Sequence, residues 1–177
     1  MKKSTSELER INIEEFKASE KLPIRVALDN IRSFNNVGSV FRTSDAFLVE
    51  EIILGGITPC PPHRDIHKTA LGAELSMQWR YEENLLSFLK NEKAKGVKII
   101  SLEQCHESIE MENLWPQLNN NPFILVFGNE VKGVSEEIID LSDYNVEIPQ
   151  YGTKHSLNVS VSGGICLHDY ARYRKKQ

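Results

Sequence analysis

The stretch Phe123 to Ser135, FILVFGNEVKGVS, decides how the rest of the chain is read. Residues 123–127 form the longest clean apolar run in the sequence, far short of the roughly 20 residues a membrane span needs. They fit a short strand buried on both faces, as in a parallel sheet. Gly128 follows at once, and Gly133 precedes a helix start at Ser135. Glu136 and Glu137 would then occupy a first turn that favours negative charge. Glycine at 128 would let the backbone approach a ligand, and glycine at 133 would let it turn. Glu130 is placed to accept hydrogen bonds from a cationic or hydroxyl-bearing partner. Strand, glycine loop and helix belong to α/β sheets, whose ligands bind at the carboxyl ends of strands. A plain turn with a helix cap explains the same residues.

Outward from this stretch, similar runs lie at 24–28 (IRVAL), 51–54 (EIIL), 97–102 (VKIISL) and 145–148 (NVEI). Helical spacing separates them. Ser6 with Glu9 makes a capping box for a helix to about Ser19. Val40, Phe41, Ser44 and Phe47 stripe a second helix. Leu85, Leu86, Leu89 and Ala94 stripe a third, closed by Gly96. Leu157 to Arg172 makes the last. Residues 1–22 read as a helical extension and 23–177 as one α/β domain, a mostly parallel sheet flanked by helices.

With 40% hydrophobic and 26% charged residues in 177, the composition is globular and excludes disordered, collagenous and coiled-coil chains. A net charge of −4 argues against coating nucleic acid by bulk charge, but leaves a local basic patch open. Cys60, Cys105 and Cys166 include no C-x-x-C, which argues against a disulfide framework and a thiolate zinc site. The expected compartment is a reducing cytoplasm. MKKSTSELER at the start has no apolar stretch, so no signal peptide is expected. The phosphate-binding G-x-x-x-x-G-K-[ST] is absent, and no G-x-G-x-x-G follows IRVALDN. Both absences disfavour P-loop NTPases and nicotinamide enzymes.

Two further segments carry chemistry. Leu28 to Asp45, LDNIRSFNNVGSVFRTSD, ends the first strand at Asp29 and offers Asn30, Arg32, Asn35 and Asn36 before Arg42. Taken alone, Arg42 fits a surface arginine on an amphipathic helix. An amide and a guanidinium near a strand end would also grip a phosphate or ribose. Ile148 to Ile165, IPQYGTKHSLNVSVSGGI, loads a helix start with Ser156, Asn158, Ser160 and Ser162. Gly163 and Gly164 then sit inside that helix, at a cost of about 1 kcal/mol each relative to alanine, so close packing is expected there.

In order and spacing, the three segments resemble the motifs of the SpoU (TrmH) family of RNA ribose methyltransferases, in the SPOUT superfamily. The patterns are Asn-x-Gly-x-x-x-Arg-Thr at Asn36 to Thr43, Phe-Gly-x-Glu-x-x-Gly-Val-Ser at Phe127 to Ser135, and Ile-Pro-x-x-Gly…Ser-Leu-Asn-Val-Ser from Ile148 to Ser160. The resemblance covers about residues 23–172. It implies a C-terminal deep trefoil knot and a homodimer with active sites near the interface. It also implies S-adenosylmethionine as methyl donor, no metal, and a ribose 2′-hydroxyl of tRNA or rRNA as acceptor, with tRNA preferred. Leu102, Gly128, Asn129, Glu130, Gly133, Ile148, Pro149, Ser156 and Leu157 would hold the donor. Arg42 matches the family's essential arginine. A guanidinium stays protonated at neutral pH, so its expected role is a clamp on phosphate and developing alkoxide. Asn36 and Asn158 would position Arg42 and the ribose, Glu130 would anchor the second motif and Asn36, and Ser156 would fix the third loop. The alternatives are a non-catalytic RNA-binding relative and a small-molecule α/β enzyme.

Arg32, Arg64, Lys68, Arg172, Arg174 and Lys175 are the expected RNA contacts. His63 and His67 lie four apart without a visible third metal ligand, so their loop is expected to touch RNA or the partner subunit. His155 reads as loop surface, and Trp79 and Trp115 as packing residues.

Overall fold

The computed structural model describes residues 2–3, 7, 10–118 and 121–177. In chain order it contains α1 (Ile13–Ala18), β1 (Leu22–Asp29), α2 (Phe34–Ala46), β2 (Val49–Gly55), α3 (Arg64–Ala70), α4 (Ala73–Ser76) and β3 (Trp79–Glu82). Then follow α5 (Leu85–Ala94), β4 (Lys98–Leu102), β5 (Ile109–Glu110), β6 (Phe123–Phe127), α6 (Glu136–Leu141), β7 (Tyr144–Glu147) and α7 (Val159–Arg174). The strands form one sheet in the order β3-β2-β1-β6-β4-β7-β5, and every pairing is parallel.

The central strand is β6, as its composition predicts. All of its side chains are buried, and alternate ones face opposite layers. Phe123, Leu125 and Phe127 join a cluster with Val37, Val40 and Phe41 of α2 and Cys166, Leu167 and Tyr170 of α7. Ile124 and Val126 join Leu85 and Leu89 of α5 and Ile138 of α6. The register sets the carboxyl ends level: Leu28 and Leu102 both pair with Phe127, and Leu102 pairs with Val146. The loops that leave β1, β4, β6 and β7 therefore emerge side by side.

The ends of the chain differ from the sequence expectation in detail. Ser6 and Glu9 lie outside the described residues. The described helix α1 starts after Asn12, which forms the same kind of reciprocal box with Glu15. The last helix starts at Val159 and not at Leu157, because the Asn158 side chain caps it by accepting from the Ser160 amide. Ser135 stands at the N-cap of α6 but makes no capping bond; its amide and hydroxyl both donate to Asp29 Oδ2, at 2.8 and 2.5 Å. Residues 64–70, expected as loop, are helical. Trp115 is buried against Phe123 and Tyr170, and its indole N–H donates to Asp169 at 2.7 Å, so it pins α7 to the sheet. Among the described residues no helix is long and apolar enough to cross a membrane.

Two glycines let helices approach their neighbours. At Gly38 in α2 a Cβ would lie 2.1 Å from Thr69 Oγ1 and 2.3 Å from the Ile66 carbonyl oxygen of α3. At Gly163 a Cβ would meet the Phe127 ring at 3.1 Å. Gly164 is different: its nearest neighbour would be Thr43 Cγ2 at 3.9 Å, an ordinary contact. Gly38→Ala must push α3 backbone away and should cost about 1–3 kcal/mol. Gly164→Ala should be neutral or stabilising by up to about 1 kcal/mol, from helix propensity alone. Urea unfolding midpoints of the two variants test the contrast.

Candidate active site

The aligned strand ends enclose a cavity of about 550 Å³, within the size range of small-molecule sites. Of the expected donor-binding residues, Leu102, Gly128, Asn129, Glu130, Gly133, Ile148, Ser156 and Leu157 line it, and Asn158 does so at the head of α7. Pro149 lies instead in an adjoining depression with Cys105 and His106.

One chain of hydrogen bonds ties the three sequence motifs together. Glu130 Oε2 accepts from the Arg32 amide at 3.0 Å. Its Oε1 accepts from the Ser33 amide at 3.0 Å and from Asn36 Nδ2 at 2.9 Å. Asn36 Oδ1 in turn accepts from Asn158 Nδ2 at 3.1 Å, and Asn158 Oδ1 accepts from the Ser160 amide at 2.9 Å and its hydroxyl at 2.7 Å. Partial burial pushes the Glu130 carboxyl up, but the bonds from the Arg32 amide, the Asn36 side chain and the Ser33 amide outweigh it and hold the group below its ordinary range.

The loop after β6 is built to be rigid. Asn129 and Gly133 exchange backbone bonds of 2.9 Å in both directions. Asn129 Oδ1 accepts from the Val131 and Lys132 amides, and its Nδ2 donates to the Asn30 carbonyl at 2.6 Å. A Cβ on Gly128 would lie 2.1 Å from the Gly133 carbonyl carbon and the Val134 nitrogen. The first glycine of the motif therefore serves closure of the loop on itself. Gly133 has a φ of 70°, the turn conformation expected of it. Asp29 fastens the loop's far end through Ser135, and Glu103 does so through the Val134 amide at 2.9 Å. The sequence marked Asp29 only as a strand end and gave Glu103 no role. Its one signal was an acidic residue directly after an apolar strand.

Arg42 is exposed on α2, and its side chain has no hydrogen-bond or ion-pair partner among the described residues. Asn36 and Asn158 bond to each other, and Asn36 also bonds Glu130. The side chains of Arg32, Arg64, Lys68 and Lys175 are likewise unpartnered among the described residues, whereas Arg172 pairs with Asp169 at 2.9 Å. Arg174 ends α7. Ser156 and His155 line the cavity from an exposed loop. His63 stacks on Phe34, with ring centroids 3.9 Å apart, and caps α3. His67 bonds Glu74 at 2.5 Å.

A profile of the SpoU rRNA Methylase family matches residues 23–168. The chain belongs to that family. This SpoU chain is 30% identical over 158 residues to a tRNA (guanosine(18)-2′-O)-methyltransferase of Aquifex aeolicus, a match that covers 86% of the chain and 70% of the relative. It is 29% identical over 157 residues to the 23S rRNA (guanosine-2′-O-)-methyltransferase RlmB of Pseudomonas aeruginosa, covering 88% of the chain and 61% of the relative. The crystal structure of the A. aeolicus TrmH/SpoU tRNA modifying enzyme superposes with a TM-score of 0.81 at 26% identity, covering 93% of this chain and 83% of that one. The AdoMet-bound rRNA methyltransferase from Sinorhizobium meliloti gives 0.79 at 26% identity, covering 89% and 60%. Some SpoU relatives are thus considerably longer than the part this chain matches.

The lowered Glu130 carboxyl gives a pH signature. Its charged form is favoured by folding, so its contribution is present above the ordinary value of 4.5 and is lost as pH falls through the lower folded value. Glu130→Gln sets an amide N–H against three donors. At pH 7 it should lower stability by about 1 kcal/mol, at the low end because the carboxylate is exposed. The gap between variant and wild type should close as pH falls from 4.5 through the lower folded value, as followed by urea titrations across pH.

Proposed function

We propose that this SpoU-family chain transfers the methyl group of S-adenosylmethionine to a ribose 2′-hydroxyl of structured RNA, with tRNA the preferred substrate over rRNA. The observation that carries this reading is the continuous bond network from Glu130 through Asn36 to Asn158, which joins the cavity to the helix that bears Arg42. Binding alone does not require such a set. The cavity suits the donor. Its volume fits a ligand of that size, and Glu103, Glu130 and Glu147 supply negative charge toward a cation.

S-adenosylmethionine supplies an already reactive methyl group when bound. The chain's own task is then to align acceptor and donor and to stabilise the alkoxide as it forms. Arg42 stands six residues beyond Asn36, about 9 Å further along α2, with no partner for its side chain among the described residues. With its planar fork of donors, Arg42 clamps a substrate phosphate and the developing oxyanion; the new C–O bond forms as the donor's S–C bond breaks, and the hydroxyl proton passes to water. Asn36 and Asn158 hold the acceptor side of the cavity in place, Glu130 fixes both motif loops against each other, and Ser156 closes the third loop over the donor. Arg32, Arg64 and Lys68, whose side chains have no partner among the described residues, extend the phosphate track with Arg172 and Arg174 on α7 and Lys175 just after it.

The reading includes a homodimer. Val161 and Ile165, four residues apart on α7, are 51% and 38% exposed, and a second subunit would cover them. It also includes a deep trefoil knot in the C-terminal third, a cytoplasmic location, and a division into an extension, 1–22, and a catalytic domain, 23–177.

Transfer of labelled methyl from S-adenosylmethionine to bulk tRNA and rRNA tests the activity, and calorimetry should show binding of that donor but not of NAD or ATP. No transfer with a saturated donor site would leave the non-catalytic relative as the better reading. Arg42→Ala should lower turnover by about 100-fold or more with donor affinity unchanged. Arg42→Lys should recover little; substantial turnover in that variant would remove the need for a planar fork.

A further inference from the structure

Glu103 directly follows β4 and lines the cavity. Its Oε2 accepts from the Val134 amide at 2.9 Å and its Oε1 from the Gln104 amide at 3.0 Å. Two amides, one on its own loop and one on the loop after β6, therefore fix the carboxylate. An ionised carboxylate has about four acceptor sites, so each oxygen keeps one in reserve. A Cβ on Gly133 would lie 2.1 Å from Glu103 Oε2, so the glycine at that turn is what leaves room for the carboxylate.

The other two carboxylates of the cavity are not in the same position. Glu130 already takes three donors, from Arg32, Ser33 and Asn36. Glu147 makes no side-chain hydrogen bond among the described residues, so nothing fixes its orientation. A held acidic group with spare acceptors, at the carboxyl end of a parallel strand, has the chemistry that recognises a ribose hydroxyl. Its charge makes each such bond stronger than a neutral one, and its fixed geometry spares the cost of ordering it on binding.

We propose that Glu103 is a donor-binding residue whose carboxylate accepts the two ribose hydroxyls of the adenosyl group. This rests on the donor site proposed above. Glu103 also holds the loop after β6, so loss of affinity in a variant does not by itself separate contact from support. Ligand variants do separate them.

The test is calorimetry on the full chain with S-adenosylhomocysteine and its 2′-deoxy and 3′-deoxy analogues, using wild type, Glu103→Ala and Glu147→Ala. The wild type should bind each deoxy analogue about tenfold or more weakly than the parent. Glu103→Ala should bind all three with equal affinity, because the partner of the hydroxyls is gone. Glu147→Ala should keep the wild-type ratio. The proposal is overturned if the wild type does not discriminate, if Glu103→Ala discriminates as wild type does, or if Glu147→Ala abolishes the ratio. A purely supporting residue would weaken all three ligands alike. Should Glu103→Ala fail to fold, Glu103→Gln serves instead: a reduced ratio supports the contact and an unchanged one overturns it. Failure of the folded wild type to bind S-adenosylhomocysteine at all would overturn the donor site itself, and this inference with it.

Discussion

The Glu130 carboxylate gathers two backbone amides and one side-chain amide from a segment more than ninety residues away, and the site depends on that convergence. Such contacts are costly to make from an open chain, since closing a long loop is paid for in entropy. The parallel sheet removes most of that cost. With β1 and β6 paired in register, the Asp29–Ser33 turn and the Gly128–Gly133 turn already lie beside each other. A charged acceptor suits the hub for a simple reason. A neutral amide would present a donor of its own to three donors, whereas a carboxylate presents none. The second link, Asn36 to Asn158, then brings in α7 across 122 residues of sequence with a single bond.

Rigidity of this kind is distributed unevenly. Asp29, Glu103 and Asn129 all spend their side chains on the backbone of the loop after β6 or of its neighbours. The loop from Tyr151 to Asn158, in contrast, is exposed throughout and is anchored at its end by Asn158. One wall of the cavity is therefore preformed, and the other has little intramolecular packing to hold it. A fixed wall lowers the ordering cost of binding a ligand, and a lightly packed one is the side through which a ligand of this size can enter.

Much of this was legible in the sequence, for identifiable reasons. The strands β1, β4 and β6 are apolar because both faces are covered, and that leaves a continuous run to read. The edge strand β3, WRYE, has no such run: its middle residues are exposed and its pairing is one-sided, so periodicity gave no signal. The α3 helix was missed because only Ile66 and Ala70 of its seven residues are buried. In the site, Glu130, Asn36 and Asn158 are bonded in one chain; the motif resemblance, not spacing, singled them out, and it did not point to their backbone partners. Gly128 suggested room for a ligand; it does line the cavity, and a Cβ there would also collide with the Val134 nitrogen. Gly38, one of the motif positions, makes room for α3. A glycine records that something comes close, not what.

Charge completes the argument. The formal total of −4 weighs against a polyanionic partner only if the charges act as a smooth average. They do not, because screening limits each exposed charge to about 8–10 Å in physiological salt. Many acidic groups are already engaged: Glu51 and Glu92 hold Arg25, Asp143 holds Lys93 and Lys98, and Asp29, Glu103 and Glu130 hold backbone amides. Arg32, Arg42, Arg64 and Lys68 have no such internal partners among the described residues. The acidic residues thus build the frame, and these cations on or just before α2 and α3 are left with unspent hydrogen bonds. A phosphate backbone would meet those cations locally, whatever the sign of the sum.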